Sequence, residues 1–193
     1  GSERNLFDET PEHCRQLMLK EPIITDEQLE QIRRIDTNGI RSTTLSILFD
    51  PLGASSLEEA VGRLCEEASR AAEEGHSILI LSDRGVDAEN APIPSLLATG
   101  AVHHHLVRSG RRTRCSFILE SGEPREVHHF STLIGYGAGA INPYLAFESL
   151  HDLRASGIFD PSWNDDTVEA QYIAAVDKGI IKTMSKMGIS TVS

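Results

Sequence analysis

Apolar and polar positions alternate along this chain with two periods, and the switches between them mark its elements. Leu29, Ile32 and Ile35 recur on one helical face, and Thr25 and Gln28 have capping-box spacing, so residues 25–35 are expected to form a short helix ended by Asn38-Gly39. Residues 43–49 are rich in strand formers and are broken by Asp50-Pro51-Leu52-Gly53. The strongest helical stripe is Leu57, Ala60, Val61, Leu64, Cys65, Ala68, Ala71 and Ala72, which predicts a helix over 56–74 with Ser55 and Glu58 as its capping pair and Gly75 as its stop. Residues 77–82 then form a continuous apolar run of strand length, the pattern of a strand buried on both faces of a parallel sheet.

The alternation repeats. A helix is expected at 93–109, with Pro92 and Pro94 near its first turn and Gly110 closing it. A strand at 114–120, a helix at 124–134, a strand at 138–142 and a helix at 143–154 follow. Strands alternating with helices imply an α/β fold with parallel strands and crossover helices, here four strand–helix units, a degenerate half of a (β/α)8 barrel flanked by extra helices. A doubly wound open sheet is the competing reading. A loop at 156–165 carries the only Trp, Trp163, and a long helix over 167–187 has Asp166 and Glu169 at its start and Lys178, Lys182 and Lys186 in its second half. The expected organisation is an N-terminal arm with a short helix over 1–40, the four units over 41–155, and a loop and long helix over 156–193. Gly1-Ser2, without an initiator Met, reads as the scar of a removed tag. Both ends start and stop abruptly, as expected of a piece cut from a longer polypeptide.

Composition narrows the function. Of 193 residues, 39% are hydrophobic and 24% charged, the balance of a globular chain. No run of about 18 apolar residues exists to cross a membrane as a helix. The net charge of −11 argues against nucleic-acid binding, since the field of the chain repels phosphates. Cys14, Cys65 and Cys115 are widely spaced and odd in number, which points to a reducing cytoplasm rather than a disulfide framework.

Candidate chemistry sits where the parallel strands end. Ser82-Asp83-Arg84-Gly85, Glu120-Ser121-Gly122-Glu123 and Asn142-Pro143 occupy the C-terminal ends of three strands, where α/β folds build their sites. Asp83, Arg84, Glu120 and Asn142 are therefore the candidate face, with Asp83 and Glu120 as a conceivable acid–base pair. The alternative is structural: Asp83 caps a turn or pairs with Arg84, and Glu120 meets an Arg. His103, His104 and His105 follow one another on a helix, about 100° apart, so they cannot converge on one ion, and His128-His129 shares the difficulty; no metal is expected. The glycines of 135–139 precede a strand rather than follow one, which suits a tight turn more than a phosphate loop. After that strand, Pro143 has no backbone N–H and Tyr144 is bulky, so the helix start is expected to be closed to a phosphate. No Gly-x-Ser-x-Gly elbow is present.

Several longer strings carry a resemblance: 79–86 (LILSDRGV), 94–98 (PSLLA), 100–108 (GAVHHHLVR), 120–123 (ESGE), 125–130 (REVHHF) and 135–146 (GYGAGAINPYLA), flanked by 5–13 (NLFDETPEH) and 184–191 (MSKMGIST). Together they resemble the large subunit of glutamate synthase over nearly the whole chain. The resemblance implies the C-terminal part of that family's central domain, a degenerate relative of an FMN barrel lying between a glutamine amidotransferase domain and the FMN-binding synthase domain of the same polypeptide. It implies the family's reaction, glutamine and 2-oxoglutarate giving two glutamates, with ammonia passing through an internal path. It also implies FMN, an iron–sulfur cluster and an electron-donor subunit or ferredoxin for the parent enzyme. None of the family's catalytic, flavin-binding or cluster-binding residues maps onto a position here, so the fragment by itself is expected to be inactive, without cofactor and without metal. Two other readings remain open: a free-standing half-barrel enzyme using Asp83 and Glu120, or an acidic module that binds a partner. Four strands that do not close a barrel leave edges and an apolar face, on which a homodimer of the fragment is expected unless the terminal segments cover them.

Overall fold

The computed structural model describes residues 17–37, 39–53 and 56–191; Cys14, the 5–13 string, Asn38 and Ser55 lie outside them. Helix α1 spans Asp26–Arg33 and is closed by the expected capping box. The Thr25 hydroxyl accepts from the Gln28 N–H at 3.3 Å, and the Gln28 side chain accepts from the Thr25 N–H at 2.9 Å. Strands β1 (Asp36–Thr37) and β2 (Ile40–Ser46) follow, then β3 (Leu48–Phe49), α2 (Leu57–Glu73), β4 (Ile78–Ser82), β5 (Ala91–Pro92), α3 (Ser95–Arg108), β6 (Ser116–Glu120), α4 (Val127–Gly135), β7 (Ala138–Asn142), α5 (Tyr144–Ala155) and α6 (Asp165–Met187).

The main sheet has the order β1-β2-β4-β6-β7; β2, β4, β6 and β7 are parallel and β1 is antiparallel to β2. Neighbours in the sheet are thus neighbours in sequence, and the crossover helices share one side. Leu79, Leu81, Phe117, Leu119 and Ile141 pack there with Leu64 and Ala68 of α2, Val102 and Leu106 of α3, and Phe130 and Leu133 of α4. A doubly wound sheet would divide its helices between two sides, so the half-barrel reading is the one observed.

The other side, which faces inward in a barrel, carries Ile78, Ile80, Ile118 and Ala140, and is covered by Ile24, Leu29 and Ile32 of the N-terminal segment. The short helix therefore stands inside the half-barrel. Its preceding residues also pair with the β7 edge: Ile141 N–H donates to Pro22 O and Ile24 N–H to Ile141 O, while β1 covers the β2 edge. These are the edges and the face on which the homodimer was expected, and the chain covers them itself.

Several boundaries differ from expectation, four of them for reasons that the hydrogen bonds show. The strand expected over 43–49 breaks at Ile47, whose N–H goes to Ser82 O while its C=O takes Ile93 N–H, so Leu48–Phe49 leaves the main sheet and pairs with β5. That pairing places Pro92 in a strand rather than in the first turn of α3. The capping box of α2 is Ser56 with Glu59, one residue beyond the expected pair. At α6, Asn164 rather than Asp166 is the N-cap, its side chain accepting from the Thr167 N–H at 2.9 Å, and Asp165 and Asp166 fill the first turn.

Candidate functional site

The pleat decides how the strand ends meet. Ser82 lies opposite Glu120, and Glu120 opposite Asn142. These three share the inner face, because side chains alternate along a strand and Ile80, Ile118 and Ala140, two residues earlier, face α1. Asp83 and Ser121 come one residue later and turn the other way. The two carboxylates singled out in the sequence are therefore close in the sheet but do not face each other.

Glu120, 1% exposed, is enclosed by donors. Ser82 Oγ donates to it at 2.5 Å, Arg84 Nε at 2.9 Å, and Arg33 Nη2 from α1 completes the set. Arg84 fans out further, to Glu148 at 3.2 Å and Asp26 at 3.0 Å, and its guanidinium carbon lies 4.1 Å from the Tyr144 ring centre. Burial opposes the Arg84 charge, but Glu120, Asp26 and Glu148 together hold the group more basic than usual. Asn142 donates from Nδ2 to Ile24 O at 3.1 Å and to Asp26 Oδ1 at 2.8 Å. Asp83, 2% exposed, accepts from Ser121 Oγ at 2.6 Å and from the Gly122 N–H at 3.1 Å. Burial, and then the Asp83 carboxylate, push the Tyr144 hydroxyl well above its ordinary pKa.

Chemically this is a joint. The carboxylate of Glu120 is shared by two arginines from different elements, and that of Asp83 by the turn after β6. Neither has an oxygen left aimed at a substrate. Four cavities of about 330–610 Å3 open elsewhere on the surface, and none of them is lined by Asp83, Arg84, Glu120 or Asn142.

The start of α5 does not fit a phosphate. Pro143 is its N-cap and has no N–H, and Tyr144 leans over the turn: a Cβ on Gly122 would stand 3.2 Å from its hydroxyl. The residues at this end of the sheet thus do not fit the phosphate of FMN. Among the described residues no group of three or more His, Cys, Asp or Glu could hold a metal, and Cys65 and Cys115 are buried, free thiols raised above their ordinary pKa by burial.

The histidines disperse as the helical geometry requires. His103 Nδ1 accepts from Arg112 Nε at 3.0 Å, His105 Nε2 meets Ser69 Oγ at 2.9 Å, and His104 is exposed. His129 Nδ1 takes the Arg125 N–H at 3.1 Å. Gly137, with φ of 110°, lets the turn before β7 pass under His103; a Cβ there would lie 2.5 Å from Nδ1. Arg33 and Asp26, which tie α1 to the strand ends, went unnoticed in the sequence. Their role depends on α1 lying inside the sheet, and nothing local signals that. No helix among the described residues is long and apolar enough to cross a membrane.

Residues 1–193 match the family described as the glutamate synthase central domain. The chain is 40% identical over 99% of its length to the NADH glutamate synthase of Schizosaccharomyces pombe, covering 9% of that protein. It is 40% identical over its whole length to the NADPH glutamate synthase large chain of Bacillus subtilis, covering 12% of it, and to the ferredoxin-dependent glutamate synthase of Pyropia yezoensis, covering 13%. It therefore spans about a tenth of the length of these curated relatives. Among solved structures, a flavocytochrome b2 variant with benzoylformate superimposes with a TM-score of 0.52 at 18% identity, over 66% of this chain and 30% of that one. That likeness concerns the fold alone, a (β/α)8 barrel of which this chain reproduces part.

Proposed function

The chain belongs to the glutamate synthase central-domain family, and from that premise we propose that it is a non-catalytic central piece of a longer glutamate synthase polypeptide. In this reading it joins the glutaminase domain to the FMN-binding synthase domain and helps to border the ammonia path. The parent enzyme, an oxidoreductase with FMN and an iron–sulfur cluster, takes electrons from NAD(P)H or ferredoxin in the cytoplasm and makes glutamate from glutamine and 2-oxoglutarate. Relatives of all three electron-donor types lie at the same 40% identity, so this piece does not itself discriminate the donor.

The observation that carries the non-catalytic role is the sealed strand end. In a barrel enzyme that end gathers free side chains around a substrate. Here the Glu120 and Asp83 carboxylates spend their bonds on Arg33, Arg84, Ser82 and Ser121, and the Asn142 amide nitrogen donates to Asp26, leaving Asn142 Oδ1 as a buried acceptor without a partner among the described residues. The purified 193-residue chain is expected to release no glutamate from glutamine, with or without 2-oxoglutarate, above a buffer blank. Release that is abolished by Glu120→Gln would instead support the free-standing half-barrel enzyme.

A further inference from the structure

Among the described residues, the outer layer of the half-barrel carries a groove along α3 and α4. Between the starts of α3 and α4 a cavity of about 400 Å3 is bordered by Leu96, Leu133, Arg125 and His128. It continues past Leu96 into a shallow trough of about 610 Å3 along α3, floored by Gly100 and Ala101 and walled by Leu97 and Tyr136. Leu97, His104 and Arg108 are exposed on the side of α3 away from its buried residues Ala98, Val102 and Leu106, and Gly100, at helical spacing between them, is buried beneath the strip. Leu97 is 42% exposed and Tyr136 48%, so two large apolar side chains share one strip of surface. Gly100 lets the Tyr136 ring lie close, since a Cβ there would stand 3.2 Å from it.

The end of this strip at Arg108 is cationic in an acidic chain. In a protein of net charge −11, the groove has Arg125 and His128 at one end and His104 and Arg108 at the other. Arg108 and Arg125 are exposed and make no ion pair among the described residues. At the α4 end two carboxylates offset Arg125: Glu123, which lines the cavity and accepts from the Ser95 N–H and hydroxyl, and Glu126, 3.8 Å from His129. From Leu96 to Arg108 the helix runs about 18 Å, three turns of a docked helix.

We propose that the α3–α4 groove seats an amphipathic helix with an apolar stripe and an acidic flank facing Arg108, supplied by another part of the same polypeptide. Small residues on the floor and apolar walls suit helix-in-groove docking, in which anchors recur every three or four residues. The cationic Arg108 end selects an acidic flank there. The source follows from length, because the chain is about a tenth of the relatives it matches. A second copy is disfavoured by repulsion between two chains of −11. The inference rests on the reading of the chain as part of a longer polypeptide. The encoding reading frame tests that reading separately: a frame that ends at Ser193 defeats the parent reading without any docking experiment.

The docking test is Leu97→Cys, introduced into the full-length polypeptide and into the 193-residue chain, with maleimide labelling followed by mass mapping of the peptide that carries residue 97. Labelling is expected to be at least ten-fold slower in the full-length protein. In the short chain it should be fast and independent of concentration. Equal rates in the two proteins would overturn the proposal. So would protection in the short chain that grows with concentration, which would identify a second copy as the occupant. Arg108→Glu in the full-length background should restore several-fold faster labelling at low salt; no change would overturn the assignment of an acidic flank.

Discussion

Gly179→Ala tests the packing of the outer layer more sharply than a large deletion could, because two terms of opposite sign compete at one atom. Gly179 lies inside α6, where replacing Gly by Ala ordinarily gains about 1 kcal/mol of helix propensity. At this position a Cβ would stand 2.3 Å from Val127 Cγ2 and 2.9 Å from Cγ1. Carbon atoms rest about 3.5–4.0 Å apart, so the two helices must separate by roughly 1 Å or more, or Val127 must leave its rotamer. Val127 is β-branched at the start of α4 and has little rotamer freedom. Separation would loosen the seam that Tyr172 closes, with its hydroxyl on Arg125 O at 2.8 Å and its ring edge-on to Phe130 and Phe147. Overpacking of this kind costs about 1–3 kcal/mol, which exceeds the propensity gain.

The 2.3 Å approach puts the cost in the upper half of that range, so the expected net loss is about 1–2 kcal/mol, a fall in Tm of roughly 2–8 °C for a chain of this size. Val127→Ala removes both obstructing methyls. In that background Gly179→Ala should stabilise, so the double-mutant cycle should show coupling of about 2 kcal/mol. Urea unfolding of the four proteins by circular dichroism gives the numbers. A Gly179→Ala single variant more stable than the parent chain, or additive behaviour of the two substitutions, would refute the reasoning.

Other perturbations bear on the strand end and on pH. Glu120→Gln removes the charge that Arg33 and Arg84 share; since both arginines are partly solvated, the loss should be about 2–3 kcal/mol rather than the larger figure of a fully buried pair, read from urea midpoints. Asp177, with Oδ1 buried and unpartnered, has its pKa raised to about 6 by burial and by Glu21. An unfolded Asp titrates near 4, so the folded chain binds more protons between about pH 4 and 6 and loses stability as pH rises through that window. Asp177→Asn should flatten this slope and stabilise by about 1 kcal/mol at pH 7.5, a figure discounted for solvent access; a variant less stable than its parent at pH 7.5 would count against it. Titration of FMN should leave its fluorescence unquenched by the chain, because the α5 start offers Pro143 and Tyr144 where a phosphate wants N–H donors; stoichiometric quenching at micromolar concentration would overturn that.

What the sequence revealed and what it hid divide along chain separation. The capping box at Thr25, the apolar run of β4 and the blocked helix at Pro143 are local patterns, and all three appear in the structure. The four strand–helix units follow from the alternation of periods, which needs no partner to be read. The placement of α1 does not. Leu29 and Ile32 announce an apolar stripe but not the surface it seeks, and Arg33 reaches Glu120 across 87 residues, as Asn142 reaches Asp26 across 116. The acid–base pairing of Asp83 with Glu120 had no such excuse. The register of β4 and β6 puts Ser82 opposite Glu120, and a two-residue period then turns Asp83 to the other face. The break at Ile47 was hidden because both of its backbone partners, Ser82 and Ile93, belong to later segments.

The position of α1 also explains how the inner face of this half-barrel is covered. Parallel strands buried on both faces require two covers, and a complete barrel supplies the inner one from the side chains of its other strands. Here one eight-residue helix takes that place with Leu29 and Ile32, and it must be held at the correct depth and angle. Apolar packing alone allows a short helix to slide along a smooth sheet. Directed bonds at its two ends do not: Asp26 is fixed by Arg84 and Asn142, and Arg33 by Glu120. The residues that bind α1 are the inner-facing ones at the strand ends, the positions that a barrel enzyme devotes to substrate. Anchoring the cover and serving a substrate make incompatible demands on the same lone pairs. The Glu120 and Asp26 carboxylates that anchor α1 are thereby committed to the cover, and of the inner-facing strand-end groups only Asn142 Oδ1 keeps a buried acceptor without a partner among the described residues.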